Sequence, residues 1–167
     1  TTITNSADKR GIGVLFDSLE MPRKKLFRRL FAERSGESLG DLKRGVMRVP
    51  EQFNKALREL RNTKNIIVHD TSYLSIHQLI AKASTVFRKN RHVKYWFIDH
   101  IRYIKKDGKK QDHLEVSEMT KMLKKFAKEH GAVVFLLSQL NRSNETNQNK
   151  RPTLNALRDS GAVEEDA

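Results

Sequence analysis

Four short apolar runs, each breaking off at polar groups and each separated from the next by helical periodicity, constrain this chain more than any other feature. They are Ile12 to Phe16, Ile66 to His69, Val93 to Ile98 and Ala132 to Leu137. Between them, apolar residues recur every three to four positions. Leu26, Phe27, Leu30 and Phe31 follow Pro22 with a basic opposite face; Phe53, Ala56, Leu57 and Leu60 follow Pro50. Ile76, Leu79, Ile80, Ala83, Val86 and Phe87 follow the N-cap candidate Ser75, and Val116 to Ala127 lie in a helix from about Asp112 to His130 closed by Gly131. Thr1 to Arg10 reads as a loop or the tail of a helix, and Gly36 to Gly45 as a broken stretch. Strands alternating with helices of this length predict right-handed βαβ units, a mostly parallel sheet and one α/β domain over residues 1–167.

The chemistry of such a sheet collects beyond the carboxyl ends of its strands. Val93-Lys-Tyr-Trp-Phe-Ile-Asp99 is a buried-strand pattern that delivers one carboxylate there, well placed to hold a hydrated Mg²⁺ on a nucleotide. A strand-end Asp capping the next turn is the competing reading. Glu20 follows the first run, and Ser138 and Gln139 follow the fourth, so three strand ends bring polar groups to one rim. Phosphoryl transfer needs a carboxylate near Mg²⁺, a group that orients the attacking water and a neutral hydrogen-bonder that senses the γ-phosphate; Asp99, Glu20 and Gln139 suit these in turn. Strands of any α/β domain also end in polar turn residues.

Lys and Arg number 33 against 20 Asp and Glu, a net charge of +13, which favours polyanionic partners, nucleic acid before anionic membrane. The basic stretch Arg102 to Lys110, with Asp107-Gly108 inside it, reads as an exposed loop. Cysteine is absent, which removes disulfides and thiolate zinc sites, and the six histidines show no metal-binding spacing. No apolar run reaches the roughly 18 residues of a membrane span and no leader pattern is present, so a soluble, unexported chain is expected. Gly40 to Gly45 has the glycine spacing of a phosphate-binding loop, but Val46 and Met47 replace its Lys and Ser/Thr and no strand precedes it.

Leu15-Phe-Asp-Ser-Leu-Glu-Met21, Phe97-Ile-Asp-His-Ile101, Leu136-Leu-Ser-Gln-Leu-Asn-Arg142 and the stretch from Arg151-Pro152 through Leu157-Arg-Asp-Ser-Gly161 to Ala167 resemble, in order and spacing, successive motifs of the RecA-like motor domain of DnaB-type replicative helicases. Asp70-Thr71 at the second strand end fits the same pattern. The resemblance implies a RecA-like P-loop NTPase core, incomplete at its N-terminal side, with the phosphate-binding loop before residue 1 and the arginine finger after residue 167. It implies ATP and Mg²⁺ as cofactors, with Glu20 polarising the attacking water, Asp99 coordinating Mg²⁺ through water, and Gln139 coupling γ-phosphate state to the DNA-binding loops. Arg158, Asp159 and Gly161 match the segment that meets single-stranded DNA in this family, and Lys105, Lys106, Lys109 and Lys110 would lie near the same channel. The implied partners are single-stranded DNA, other helicase subunits in a homo-hexameric ring, primase and a helicase loader, with no membrane, in the cytoplasm of a bacterial or phage-infected cell.

The activity implied is ATP-driven translocation and DNA unwinding, with residues 1–167 alone expected to be inactive because the triphosphate cradle lies outside them. Two rivals stand beside it: another RecA-like ATPase, such as a recombinase or clock-type ATPase, and a non-catalytic nucleic-acid-binding or loader-interacting module. Two departures from the family pattern are plain. Asp17 stands at a usually apolar position, implying a more exposed strand end, and His100-Ile101-Arg102 replaces Tyr-Leu-Gln; Asp99-His100-Ile101 resembles the phage and mitochondrial primase-helicase branch, which leaves the subfamily open between bacterial and phage types.

Overall fold

Odd and even positions of the central strands face opposite helical layers. The computed structural model describes residues 2–46, 48–106 and 112–138. Its strands are β1 (Gly13–Ser18), β2 (Ile66–His69), β3 (Val93–Asp99) and β4 (Val133–Leu136), all parallel in the order β2-β1-β3-β4. Val14 of β1 aligns with Ile66 and Tyr95, and Tyr95 with Val133, so all four C-terminal ends lie on one rim. β4 has β3 on one side and no described strand on the other; its Val133 is half exposed.

The helices are α1 (Thr2–Lys9), α2 (Arg23–Ser35), α3 (Leu39–Arg44), α4 (Pro50–Asn62), α5 (Ile76–Lys89) and α6 (Asp112–His130). On one face Leu15, Trp96 and Ile98 pack with Leu79, Phe87, Leu123 and Phe126 of α5 and α6. On the other, Val14, Phe16 and Phe97 pack with Ala7, Leu26 and Leu30 of α1 and α2. Each large apolar side chain withdrawn from water in this way contributes about 1.5–3 kcal/mol. Phe16, Phe97 and Phe135 form a stacked ladder across β1, β3 and β4, with ring centroids 5.5 and 4.4 Å apart. Their cross-strand registry produces it: Phe16 aligns with Phe97 and Phe97 with Phe135.

Local signals fix the helix ends. Ser75 and Gln78 form a reciprocal capping box at the start of α5. The stretch read as broken contains α3, which Ser38 caps and Gly45 closes at φ 72°. Gly40 to Gly45 therefore belongs to a short helix and its cap, not to a phosphate loop. α2 has no acidic residue in its first turn, yet Arg23, Lys24 and Lys25 stand there. Cations at the positive end of a helix dipole oppose it, by about 0.3–1 kcal/mol each.

A buried ion pair joins α2 to α1 at the rim opposite the strand ends. Arg34 of α2 pairs with Asp8 of α1, and its Nε donates to Asn5 at 2.6 Å. Burial pushes the Asp8 carboxyl up, but hydrogen bonds from Thr63, Arg34 and Asn65 and the Arg34 charge outweigh it and hold it below the usual carboxylate range. Asp41 is likewise held low, first by Ser38 and Arg44 hydrogen bonds, then by the Arg48 and Arg44 charges. A cavity of about 700 Å³ lies here, but Asp8 and Arg34 on its wall are committed to each other.

Candidate functional site

The parallel sheet delivers Glu20, Asp99 and Ser138 to one rim, and the backbone fixes their spacing. The Asp99 carbonyl accepts from Leu19 N at 2.8 Å and from Glu20 N at 3.3 Å, tying the turn after β1 to the end of β3. On the other side Leu137 N donates to Ile98 O at 3.0 Å, and Ile101 N donates to Leu137 O at 3.1 Å. Ser18 Oγ donates to Met21 O at 2.7 Å and tightens the turn that carries Glu20.

The Asp99 carboxylate is partly buried and makes no hydrogen bond or ion pair with any described residue. It therefore caps no described turn; its backbone carbonyl does the tying. An unengaged carboxylate at a strand end suits a hydrated Mg²⁺, which takes one or two carboxylates and leaves its remaining positions to water and phosphate. No cluster of three metal-ligating side chains occurs among the described residues. Asp99 and Arg29 border a cavity of about 600 Å³ floored by Phe16 and Phe97 and walled by Leu136 and Leu137.

Glu20 is exposed, with 47% of its side chain accessible, and its Oε2 lies 3.4 Å from Nε2 of the nearly buried His100. The other ring nitrogen of His100 has no hydrogen-bond partner among the described residues, and the ring tilts against Tyr103 at 4.8 Å. The reading of motifs did not single out this contact. The residue after a strand-end acid is well placed to turn back over the neighbouring strand end, and that position was the available signal.

The first-strand end is not more exposed, contrary to the expectation from Asp17. Its side chain is 1% exposed, because β1 is flanked by β2 and β3 and helices cover both faces. The Trp96 indole donates to Asp17 Oδ2 at 2.6 Å, and His69 Nδ1 lies 3.3 Å from Oδ1. Asp70 accepts from Arg23 N at 2.9 Å and so holds the start of α2 against the end of β2.

The basic segment is also more anchored than a free loop. Ile101–Tyr103 forms a 3-10 turn, Ile101 and Ile104 are buried, and Lys105 N donates to Leu74 O at 2.8 Å, leaving the Lys105 side chain exposed. Lys106 is partly buried. Gln139, Lys109, Lys110, Arg158, Asp159 and Gly161 lie outside the described residues.

A parallel sheet with acids at adjoining strand ends and helices on both faces defines a RecA-like α/β domain. The sequence pattern of the DnaB-like helicase C-terminal domain matches residues 1–167, and the chain belongs to that family. It is 31% identical over 157 residues to replicative DNA helicase DnaB of Buchnera aphidicola subsp. Schizaphis graminum, covering 92% of this chain and 34% of that protein. Against DnaB of Pasteurella multocida it is 32% identical over 167 residues, covering 98% and 36%. The chain thus spans about a third of these relatives. Its fold superposes on the ATPase domain of G40P with a TM-score of 0.89 at 29% identity, over 98% of this chain and 60% of that one. A DnaB-like replicative helicase, described with its interactions with primase, gives 0.90 at 28% identity, over 98% and 41%. Among the described residues no helix is long and apolar enough to cross a membrane.

Proposed function

We propose that this domain is the ATP-hydrolysing motor of a replicative DNA helicase, working in the cytoplasm as one subunit of a homo-hexameric ring on single-stranded DNA. One observation carries the proposal: Glu20 N is hydrogen-bonded to the carbonyl of Asp99, which holds two acids of the family's motifs at adjoining strand ends. In this reading Glu20 orients and polarises the water that attacks the γ-phosphate. Its exposure leaves the carboxylate open to solvent, and His100 steadies it from the sheet side. Asp99 holds Mg²⁺ through water, and the ion, when bound, neutralises charge on the phosphate oxygens. Gln139 relays the γ-phosphate state to DNA-binding loops that include Lys105, Lys106, Lys109, Lys110, Arg158, Asp159 and Gly161. Primase and a helicase loader are the further partners. The DnaB-like structure described with primase supports the first of these.

The test is Mg²⁺-dependent binding and hydrolysis of ATP by the chain extended N-terminally with a phosphate-binding loop. Asp99→Ala is expected to abolish the Mg²⁺-dependence of binding. Glu20→Gln is expected to keep binding while lowering turnover at least about 100-fold, the scale of a lost general base. Unchanged turnover in Glu20→Gln refutes the assignment. A well-folded extended chain that ignores nucleotide yet binds single-stranded DNA replaces the motor with a binding module.

A further inference from the structure

Among the described residues, the basic side chains of the segment 23–48 fall into two groups. Arg34 is buried against Asp8, and Arg44 and Arg48 both reach Asp41, at 2.5 and 2.8 Å. Arg23, Lys24, Lys25, Arg28 and Arg29 make no ion pair with any described residue, and no acid interrupts them before Glu33. Lys24, Lys25 and Arg28 project from the side of α2 opposite its buried Leu26 and Leu30. The cluster begins where Asp70 holds Arg23 N, so it stands at the strand-end rim beside Glu20.

Helix stability does not account for these charges. The lysines of α6, Lys121, Lys124, Lys125 and Lys128, occupy its C-terminal half, where the negative end of the dipole favours them. Those of α2 crowd the opposite, positive end with no acid in the first turn. An arrangement that works against its own helix is explained by a partner that supplies the missing negative charge.

We propose that the N-terminal half of α2 is a second DNA-docking surface, separate from the basic loop after β3, taking the phosphate backbone through Lys24, Lys25 and Arg28. From Arg23 to Arg29 the helix rises about 9 Å, long enough for its cations to meet more than one phosphate of a strand. A second copy of this chain is the poorer occupant, since its net charge of +13 repels the same cluster. The inference rests on the reading of DNA as partner and adds a surface to it.

The test is fluorescence anisotropy of a labelled thymidine oligonucleotide across a salt series, with thermal melts of each variant. Lys24→Gln/Lys25→Gln/Arg28→Gln is expected to weaken binding and to lower the slope of log affinity against log salt by about two. Its melting temperature is expected to equal or exceed that of the parent, because neutral residues relieve the helix dipole. Lys24→Arg/Lys25→Arg keeps the charge and is expected to keep the binding. An unchanged slope, or an equal drop from Lys121→Gln/Lys124→Gln/Lys125→Gln, overturns the proposal. So does a loss of DNA that comes only with unfolding and is absent from the single variant Lys24→Gln. Loss of affinity in Lys105→Gln/Lys106→Gln but not in the α2 variant overturns this inference and leaves the proposed function standing. A parent chain that binds no DNA at low salt overturns both.

Discussion

Trp96→Phe isolates the buried polar contact that holds the middle of the sheet. Trp96 is fully buried, and its Nε1–H donates to Asp17 Oδ2 at 2.6 Å. Phenylalanine keeps much of the apolar contact with Phe126, at 4.6 Å between ring centroids in the parent, but removes the donor. Losing a hydrogen bond to a buried carboxyl group costs about 1.5–3 kcal/mol, and the vacated ring volume adds about 1–2 kcal/mol, giving a loss of about 2.5–5 kcal/mol. That is a large share of the roughly 5–15 kcal/mol that holds a domain folded. Trp96 is the only tryptophan, so urea unfolding is followed by far-UV circular dichroism, with the shift in midpoint read at constant m-value. Asp17→Leu added to Trp96→Phe removes the carboxylate oxygen left without its indole donor and is expected to recover part of the loss. His69 then keeps its access to water, since 28% of its side chain is exposed. A Trp96→Phe variant within about 1 kcal/mol of the parent, or strictly additive losses in the double variant, refutes the account.

Further outcomes follow from other contacts. Phe97 is the middle ring of the Phe16–Phe97–Phe135 ladder, and Phe97→Ala is expected to cost about 3–5 kcal/mol in the same urea assay. Ser75→Ala removes half of the α5 capping box and is expected to cost about 1 kcal/mol. Asp8 and Asp41 titrate below the ordinary value of 3.8, so their stabilisation is complete above that pH and is lost as pH falls through their lowered folded values. Unfolding midpoints measured from pH 6 downward are therefore expected to hold to about pH 4 and drop below it. Asp8→Asn is expected to flatten that acid limb, and an identical limb refutes the assignment.

The strands and most helices were legible because their signals are local. The bounds Ile66–His69 and Val93–Asp99 came directly from apolar runs, and Ser75 announced α5 through its own cap. α3 was hidden because a helix of six residues has too few turns to show periodicity, and Gly40 within it and Gly45 at its cap read as breaks. Asp17 misled for a different reason: a carboxylate in a strand signals exposure unless its donors are known. Those donors lie at His69 and Trp96, 52 and 79 residues away in sequence.

The sequence by itself determined the period of each element, the order of the motifs and the excess of positive charge, since all three reside in neighbouring residues. The parallel pairing brings Glu20 beside Asp99 and makes their backbone bond at 3.3 Å, which belongs to the tertiary structure. So does the division of cations into those that pair, such as Arg34 with Asp8, and those in the N-terminal half of α2, which make no ion pair with any described residue. Periodicity shows which face of an element is apolar. Which distant group will meet that face depends on strand order and register, and these are set when the two helical layers close over the sheet.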